Sequence, residues 1–293
     1  MTMKTILLLA AWLSLASSAK EKPFPPDQFV LAGTHRLQIH CEGKGYPIVV
    51  IDAGIGDSME KLKPLQERLA RVTQVCTYNR AGYGQSEAGP LPRHSGQEAE
   101  ELKALLDKTA LHGPYVVVGH SLGALNMQVF AAKYPQDVAG IVLLDPPPLT
   151  FLLKEEYPDL YAMAGRITAE WQAMADSSVA SDDMQAKAKA VFLRMIASEH
   201  REMFGESAKL AAEISSFGDK PLVVIAAGKP NPRFGDSAEK YQHYWIEQSR
   251  ALTRRSSNSR FVLAAESSHY LYLDVPDLVV ESILSVVDQT RRK

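Results

Sequence analysis

Residues 116–124 of the chain read VVVGHSLGA, and this stretch decides the predicted fold. The valines predict a buried strand that ends at Gly119, and the pattern over residues 124–134 is helical. We therefore expect Ser121 at the apex of a sharp turn between a strand and a helix, although a serine that only caps the helix is the alternative. Glycines lie two residues before and after it, where the two backbones pass close together. Such a turn holds the hydroxyl clear of the sheet.

The composition is typical of a globular protein. The chain has 293 residues, of which 46% are hydrophobic and 23% are charged, and its formal net charge is −2. This length suits one large domain or two small ones. So small a net charge gives no reason to expect a nucleic-acid or anionic-membrane partner. The eight histidines lack the spacing of a zinc-binding helix and the two cysteines are too few for a metal knuckle, so we expect no metal.

The first 19 residues have the features of a signal peptide. Lys4 provides a positive start, residues 6–15 are mostly apolar, and the small residues at 17–19 fit a cleavage site. The apolar run is short for a membrane span of about 20 residues. We therefore expect export, to the periplasm or the medium, with a mature chain that starts near Lys20. An uncleaved anchor or a buried first helix is the alternative.

Cys41 and Cys76 lie in two predicted strands, at residues 36–41 and 73–78. Export would place both cysteines in an oxidising compartment, where disulfides persist. The sequence does not show whether the two side chains meet. Two buried free thiols are therefore the favoured interpretation, and a disulfide stays open.

Apolar runs and turn signals predict eight strands that alternate with helices. The strands fall at residues 29–31, 35–40, 48–51, 72–78, 116–118, 138–144, 221–227 and 260–264, and the helical patterns at 62–71, 98–109, 124–134, 237–252 and 275–287. This alternation favours a mostly parallel α/β sheet with helices on both faces. Ligands bind such sheets at the carboxyl ends of the strands, and Ser121, Asp145 and His269 all follow a strand.

The motif G-x-S-x-G after a buried strand resembles the nucleophile elbow of the α/β-hydrolase fold superfamily, in its serine-nucleophile branch. Residues 79–86, NRAGYGQS, resemble a glycine-rich loop of that family, with Asn79 where the family often has aspartate. We interpret this loop as structural, with Arg80 tying loops together. The resemblance covers residues 36–288 and implies the α/β-hydrolase fold, esterase- or lipase-like chemistry and no cofactor.

The resemblance also implies a domain organisation. From about residue 149 to residue 217 the pattern is helical throughout, which matches the helical cap that this family inserts after the sixth strand. We therefore divide the chain into a signal peptide (1–19), a first part of the core (20–147), the cap (148–218) and a second part of the core (219–293).

The family pattern assigns roles to individual residues. Ser121 is the expected nucleophile and His269 the expected general base, since the family's order along the chain is serine, acid, histidine. The backbone N–H groups of Ile55 and Leu122 would form the oxyanion hole. We interpret His120 as structural, with a side chain that points away from the base.

The position of the acid that orients the histidine is less certain from the family pattern than the positions of the serine and the histidine. Many family members carry it after the seventh strand, where this chain has the uncharged Asn231. Some members place it after the sixth strand, where this chain has Asp145, and we favour this residue. Asp236 is the alternative, and a capping role is the competing interpretation of Asp145.

These residues imply a hydrolase that cleaves carboxylic esters of a small molecule, because a serine at the elbow points to acyl transfer. Lactones, thioesters and amides stay open, since substrate choice depends on the cap and the pocket. Two other classes stay open as well: a non-catalytic binding module of the same fold, and a lipase whose cap opens on lipid. The cap has no obvious basic amphipathic helix, so we expect no stable membrane insertion.

Overall fold

The computed structural model describes residues 27–148, 155, 157–179 and 183–292. The predicted signal peptide, residues 1–19, lies outside the described residues. The strands are β1 (Asp27–Ala32), β2 (His35–Glu42), β3 (Val49–Asp52), β4 (Val75–Asn79), β5 (Tyr115–His120), β6 (Val138–Leu144), β7 (Leu222–Ala227) and β8 (Ser259–Ala264). The helices are α1 (Met59–Leu69), α2 (Ser95–Asp107), α3 (Leu122–Lys133), α4 (Pro158–Val179), α5 (Met184–Met203), α6 (Glu206–Ala212), α7 (Ala238–Leu252), α8 (Leu271–Asp274) and α9 (Pro276–Arg291).

Within the described residues, the eight strands form one sheet in the order β1-β2-β4-β3-β5-β6-β7-β8. The pairs β1–β2 and β2–β4 are antiparallel, and the remaining pairs are parallel. Every residue of β3, β4, β5 and β7 is buried, as expected for strands covered on both faces. The predicted fold class, a mostly parallel eight-stranded sheet flanked by helices, is confirmed.

Successive residues of the central strand β5 face opposite sides of the sheet. Val117 belongs to the core that includes α2, α3 and α6, whereas Val116 and Val118 belong to the core that includes α1 and α9. This arrangement explains why β5 is a continuous apolar run rather than an alternating one. It also fixes the end of β5, from which Ser121 emerges, between two packed layers.

The helices α4, α5 and α6 lie between β6 and β7, and the described residues of this interval contain no strand. The helices α4 and α5 pack against each other and share a small apolar core with Tyr83. The predicted helical insertion after the sixth strand is confirmed, while its boundaries at residues 148 and 218 stay predictions. None of the helices in the described ranges combines the length and the apolarity that crossing a bilayer requires.

Cys41 and Cys76 form a disulfide, so the favoured interpretation of two free thiols is wrong. The cause is the register of the sheet. Cys41 on β2 is the direct partner of Cys76 on the antiparallel strand β4, and their Cα atoms are 4.1 Å apart. The cysteines are 35 residues apart in sequence, and the patterns that predicted their strands carry no information about which residues face each other.

Candidate active site

Ser121 occupies the junction between β5 and α3, as predicted. Its backbone has φ 52° and ψ −120°, a conformation that residues other than glycine rarely adopt. The N–H of Ser121 donates to the carbonyl oxygen of Leu144 at 3.0 Å, which fixes the turn to the end of β6. The hydroxyl makes no capping hydrogen bond to α3, so the side chain is not used as a helix cap.

The glycines on either side of the serine are required by the close approach of backbones. A Cβ atom at Gly119 would overlap the carbonyl group of Gly123, and a Cβ atom at Gly123 would overlap the carbonyl oxygens of Asp52 and Ala53. The first turn of α3 therefore packs directly on the loop that follows β3. We call residues 53–57 the β3 loop.

His269 and Asp145 are brought together at the carboxyl ends of β8 and β6. The Nδ1 atom of His269 is 2.6 Å from Oδ2 of Asp145. The other oxygen of Asp145 accepts a hydrogen bond from the N–H of Ala227, at 3.0 Å. Asp145 is 3% exposed, whereas the His269 side chain is 29% exposed. The buried carboxylate can thus orient the ring and leave its Nε2 atom for a reactant.

His120, which precedes Ser121 in the chain, is in contact with His269. Nε2 of His120 donates to the carbonyl oxygen of His269 at 2.8 Å, and the two rings are 4.7 Å apart between centroids. The expectation that His120 points away from His269 is therefore wrong. Burial, followed by the nearby His269, holds the pKa of His120 well below its usual value, so it is a neutral, structural residue.

Within the described residues, no hydrogen bond joins the Ser121 hydroxyl to His269. Hydrogen bonds between a nucleophile and its base are often long in ligand-free enzymes and tighten with substrate bound.

Asp236, the alternative acid, is not brought to the histidine. It lies in the short helical segment Pro232–Ser237, is solvent-exposed, and makes no hydrogen bond to His269 in the described part of the chain. Asn231, at the family's more common acid position, instead accepts a hydrogen bond from the N–H of Arg233 at 3.1 Å. The structure therefore pairs His269 with Asp145 rather than with the loop after β7.

The backbone N–H groups of Ile55 and Leu122 have no acceptor among the described residues. Leu122 is the first residue of α3, where N–H groups lack an intrahelical partner. The β3 loop lies against the serine, since a Cβ atom at Gly54 would be 3.4 Å from the Cβ atom of Ser121. Both predicted oxyanion donors are thus unpaired, on residues adjacent to the turn.

Arg80 connects the β3 loop to the cap. Its Nη1 donates to the carbonyl oxygen of Ala53 and to Oδ1 of Asp52, both at 2.7 Å, and its Nη2 donates to the carbonyl oxygen of Gly54 at 3.1 Å. Its Nε and Nη2 also donate to Glu199 on α5, at 2.9 and 3.2 Å. Burial alone would lower the pKa of Arg80, but Glu199 and Asp52 raise it well above its usual value. The expected role of Arg80 in tying loops together is confirmed.

Glu199 is a residue that the sequence analysis missed. Its side chain is fully buried, although it comes from a helix whose sequence pattern is amphipathic. Nothing in that pattern marks it, because only the packing of the cap on the core removes it from water. A second buried carboxyl, Glu98 on α2, lies 3.8 Å from Nε of Arg80. Burial, followed by repulsion from Glu199, raises the pKa of Glu98 well above its usual value, which favours its neutral form.

The cap supplies an apolar wall beside the β3 loop. Trp171 of α4 and Phe192 of α5 pack, together with Ile55, against the small core that contains Tyr83 and Met195. The rings of Tyr83 and Phe192 meet edge to face, with centroids 5.1 Å apart. The side chain of Ile55 therefore has apolar and aromatic neighbours from the cap.

Known proteins resemble this chain in sequence and in fold. A model of the alpha/beta hydrolase fold family matches residues 46–279. The uncharacterized protein YqjL of Bacillus subtilis is 27% identical over 248 residues, which are 84% of this chain and 86% of YqjL. The 2-(acetamidomethylene)succinate hydrolase of Mesorhizobium japonicum is 29% identical over 144 residues, 49% of each chain. The crystal structure of an enol-lactonase from Burkholderia xenovorans superposes with a TM-score of 0.62 at 18% identity, covering 89% of this chain and all of the other. The matched family model, together with the sheet order and the turn at Ser121, shows that this chain belongs to the alpha/beta hydrolase fold family.

Proposed function

We propose that this alpha/beta hydrolase cleaves carboxylic esters through an acyl-enzyme on Ser121, with His269 as general base and Asp145 as the residue that orients it. The observation that carries the proposal is the 2.6 Å contact between Nδ1 of His269 and the buried carboxylate of Asp145. A serine hydroxyl needs such a base at neutral pH, and the base needs a carboxylate to fix its tautomer and stabilise the imidazolium.

The first half of the reaction forms the acyl-enzyme. The Ser121 oxygen attacks the ester carbonyl carbon while Nε2 of His269 takes the hydroxyl proton. The carbonyl electron pair moves onto oxygen, and the N–H groups of Ile55 and Leu122 donate hydrogen bonds to that oxyanion. The intermediate collapses, the carbon–oxygen bond to the alcohol breaks, and His269 returns the proton to the leaving alkoxide.

The second half releases the acid. His269 takes a proton from water, and the resulting hydroxide equivalent attacks the acyl carbon. The same two N–H groups stabilise the second oxyanion, after which the bond to Ser121 breaks and His269 returns the proton to the serine oxygen. The products are one carboxylic acid and one alcohol, and no other reactant takes part.

Because Ile55, Trp171 and Phe192 form an apolar wall, we expect the substrate to carry an apolar, uncharged group next to the reacting carbonyl. Activity should therefore be measured on p-nitrophenyl esters of graded acyl chain length, with Ser121→Ala as the control. We expect hydrolysis by the wild type, loss of hydrolysis in the variant, and labelling of Ser121 alone by a fluorophosphonate probe.

A panel of matched substrates distinguishes ester hydrolysis from the alternative activities. A thioester, a lactone and an anilide with the same acyl carbon count should be cleaved more slowly than the ester. Faster cleavage of one of them would assign the enzyme to that substrate class. No hydrolysis of any substrate and no probe labelling would contradict the catalytic proposal and favour a binding module.

Export is part of the same proposal. The disulfide between Cys41 and Cys76 supports it, because disulfides persist in oxidising compartments and are rare in the cytosol. Protein recovered from the periplasm or the medium should begin near Lys20 by N-terminal sequencing. Recovered protein that begins at Met1 or Thr2 would contradict cleavage.

A further inference from the structure

The residues on either side of Ile55 in the chain form backbone hydrogen bonds with buried side chains. On its N-terminal side, the carbonyl oxygens of Ala53 and Gly54 accept hydrogen bonds from Arg80, at 2.7 and 3.1 Å. On its C-terminal side, the N–H of Gly56 donates to the hydroxyl oxygen of Tyr83 at 3.1 Å. These contacts determine where the N–H of Ile55 points.

Arg80 and Tyr83 both donate hydrogen bonds to one carboxylate, that of Glu199. Oε1 of Glu199 accepts from Nε of Arg80 at 2.9 Å, and Oε2 accepts from Nη2 at 3.2 Å. The same Oε2 accepts a hydrogen bond from the hydroxyl of Tyr83. The guanidinium carbon lies 4.6 Å from the centroid of the Tyr83 ring, so the three side chains form one compact unit. Each is at most 3% exposed, which keeps water from replacing a lost contact.

The carboxylate comes from the cap, whereas the β3 loop belongs to the sheet. Glu199 is 119 residues from Arg80 along the chain, and the cap helix α5 carries it into the core. Arg80 keeps a second carboxylate, Asp52, which Asn126 of α3 also contacts at 2.9 Å. Loss of Glu199 would leave Arg80 paired with Asp52 at 2.7 Å and with Glu98 at 3.8 Å, so the guanidinium could shift without being expelled.

We propose that Glu199 is a positioning residue for the oxyanion hole: it fixes the β3 loop through Arg80 and Tyr83, and so makes the geometry of the Ile55 N–H depend on the docked cap. This inference rests on the proposed ester hydrolysis. Its consequence is that the cap acts on the stabilisation of the transition state as well as on the shape of the pocket.

The test substitution is Glu199→Gln, which has nearly the same shape. A glutamine has one acceptor oxygen where the carboxylate has two, and its NH₂ group would face either Nε of Arg80, or Nη2 of Arg80 together with Tyr83. Whichever way the amide turns, one of the two hydrogen bonds from Arg80 is lost. We expect kcat on a p-nitrophenyl ester to fall about 10- to 100-fold with KM nearly unchanged, since small displacements of an oxyanion donor cost that much.

Glu101→Gln is the matched control. Glu101 is also buried, at 5% exposure, and it forms a two-pronged ion pair with Arg93 at 2.6 Å for both contacts, but it does not contact the β3 loop. Both variants lose a buried carboxylate from the same interior region. We expect Glu101→Gln to lower the unfolding midpoint and to keep kcat close to the wild-type value.

A transition-state analogue separates positioning from general damage. A trifluoromethyl ketone forms a tetrahedral adduct whose oxygen occupies the oxyanion hole, so its inhibition constant should rise in Glu199→Gln by the same factor as kcat falls. Tyr83→Phe should give a smaller effect of the same kind, and adding it to Glu199→Gln should give little further loss. Tyr83→Phe also serves as the readout if Glu199→Gln does not fold.

The results that would overturn this inference differ from those that would overturn the proposed function. A Glu199→Gln variant with unchanged kcat, or with a raised KM as its only change, would overturn the inference, as would a Tyr83→Phe variant with an unchanged inhibition constant. An absence of Ser121-dependent hydrolysis in the wild type would instead overturn the proposed function.

Discussion

Nδ1 of His269 lies 2.6 Å from Oδ2 of Asp145, although the two residues are 124 positions apart in the chain. The contact is formed because β6 and β8 both end at the same edge of the sheet, with β7 between them. β7 contributes the N–H of Ala227, which donates to the other oxygen of Asp145. Asp145, which follows the sixth strand, is thereby held in place by the seventh strand as well.

Asp145→Asn should lower kcat on a p-nitrophenyl ester by about 10⁴, because an amide cannot stabilise the imidazolium and can fix the wrong tautomer of His269. Asp236→Asn is the matched control, and its kcat should remain close to the wild-type value, since Asp236 is exposed and makes no described contact with His269. The measurement is kcat at saturating substrate for both variants. Full activity in Asp145→Asn would reject the assignment of the acid.

Gly123→Ala should destabilise the protein and abolish most of its activity. The added methyl group would overlap the carbonyl oxygens of Asp52 and Ala53, which are backbone atoms that cannot rotate away, so α3 must move from the β3 loop. Gly165→Ala on α4 is the contrasting variant. Open space surrounds that position, and alanine in a helix is favoured over glycine by about 0.5–1 kcal/mol, so stability should rise slightly. Urea unfolding of both variants, with kcat alongside, gives the comparison.

Replacement of both Cys41 and Cys76 by alanine should lower the free energy of unfolding by about 2–4 kcal/mol, because the bridge closes a loop between residues 35 positions apart. The measurement is urea unfolding without a reductant. Dithiothreitol should lower the stability of the wild type towards that of the double variant and leave the double variant unchanged. Two free thiols in unfolded, unreduced wild-type protein would exclude the bridge.

The stability of the protein should fall on mild acidification, in part through His200. Burial lowers the pKa of His200 to about 4, whereas an unfolded histidine titrates near about 6.5. Between these values the unfolded chain binds a proton that the folded protein does not, so stability is present above about pH 6.5 and is lost as the pH falls towards 4. The expected contribution is about 2.5 kcal/mol near pH 4.5.

The comparison variant is His200→Phe, which keeps a ring beside Trp171 and Phe204 and removes the titrating group. Urea unfolding at about pH 7 and pH 4.5 should show a smaller loss of stability for the variant than for the wild type. Equal losses in the two proteins would show that His200 does not remain neutral when folded.

The strands and the elbow could be predicted because each depends on local information, whereas the roles of Asp145 and His269 were expected from the resemblance to the family. Apolar runs predict buried strands, and glycines two residues from a serine indicate backbones in close approach. The rest of the site could not be predicted in this way. His120 contacts His269 rather than pointing away from it, and the two residues are 149 positions apart in the chain, so no local pattern predicts this contact.

The sequence by itself determined the fold class and the position of Ser121 at a sharp turn, because both depend on patterns among neighbouring residues. Only the tertiary structure decided that Asp145 meets His269, that Cys41 faces Cys76, and that Glu199 is buried against Arg80. Each of these three pairs joins residues on different elements. Their contact depends on strand order, on register and on the docking of the cap, and no local pattern encodes those quantities.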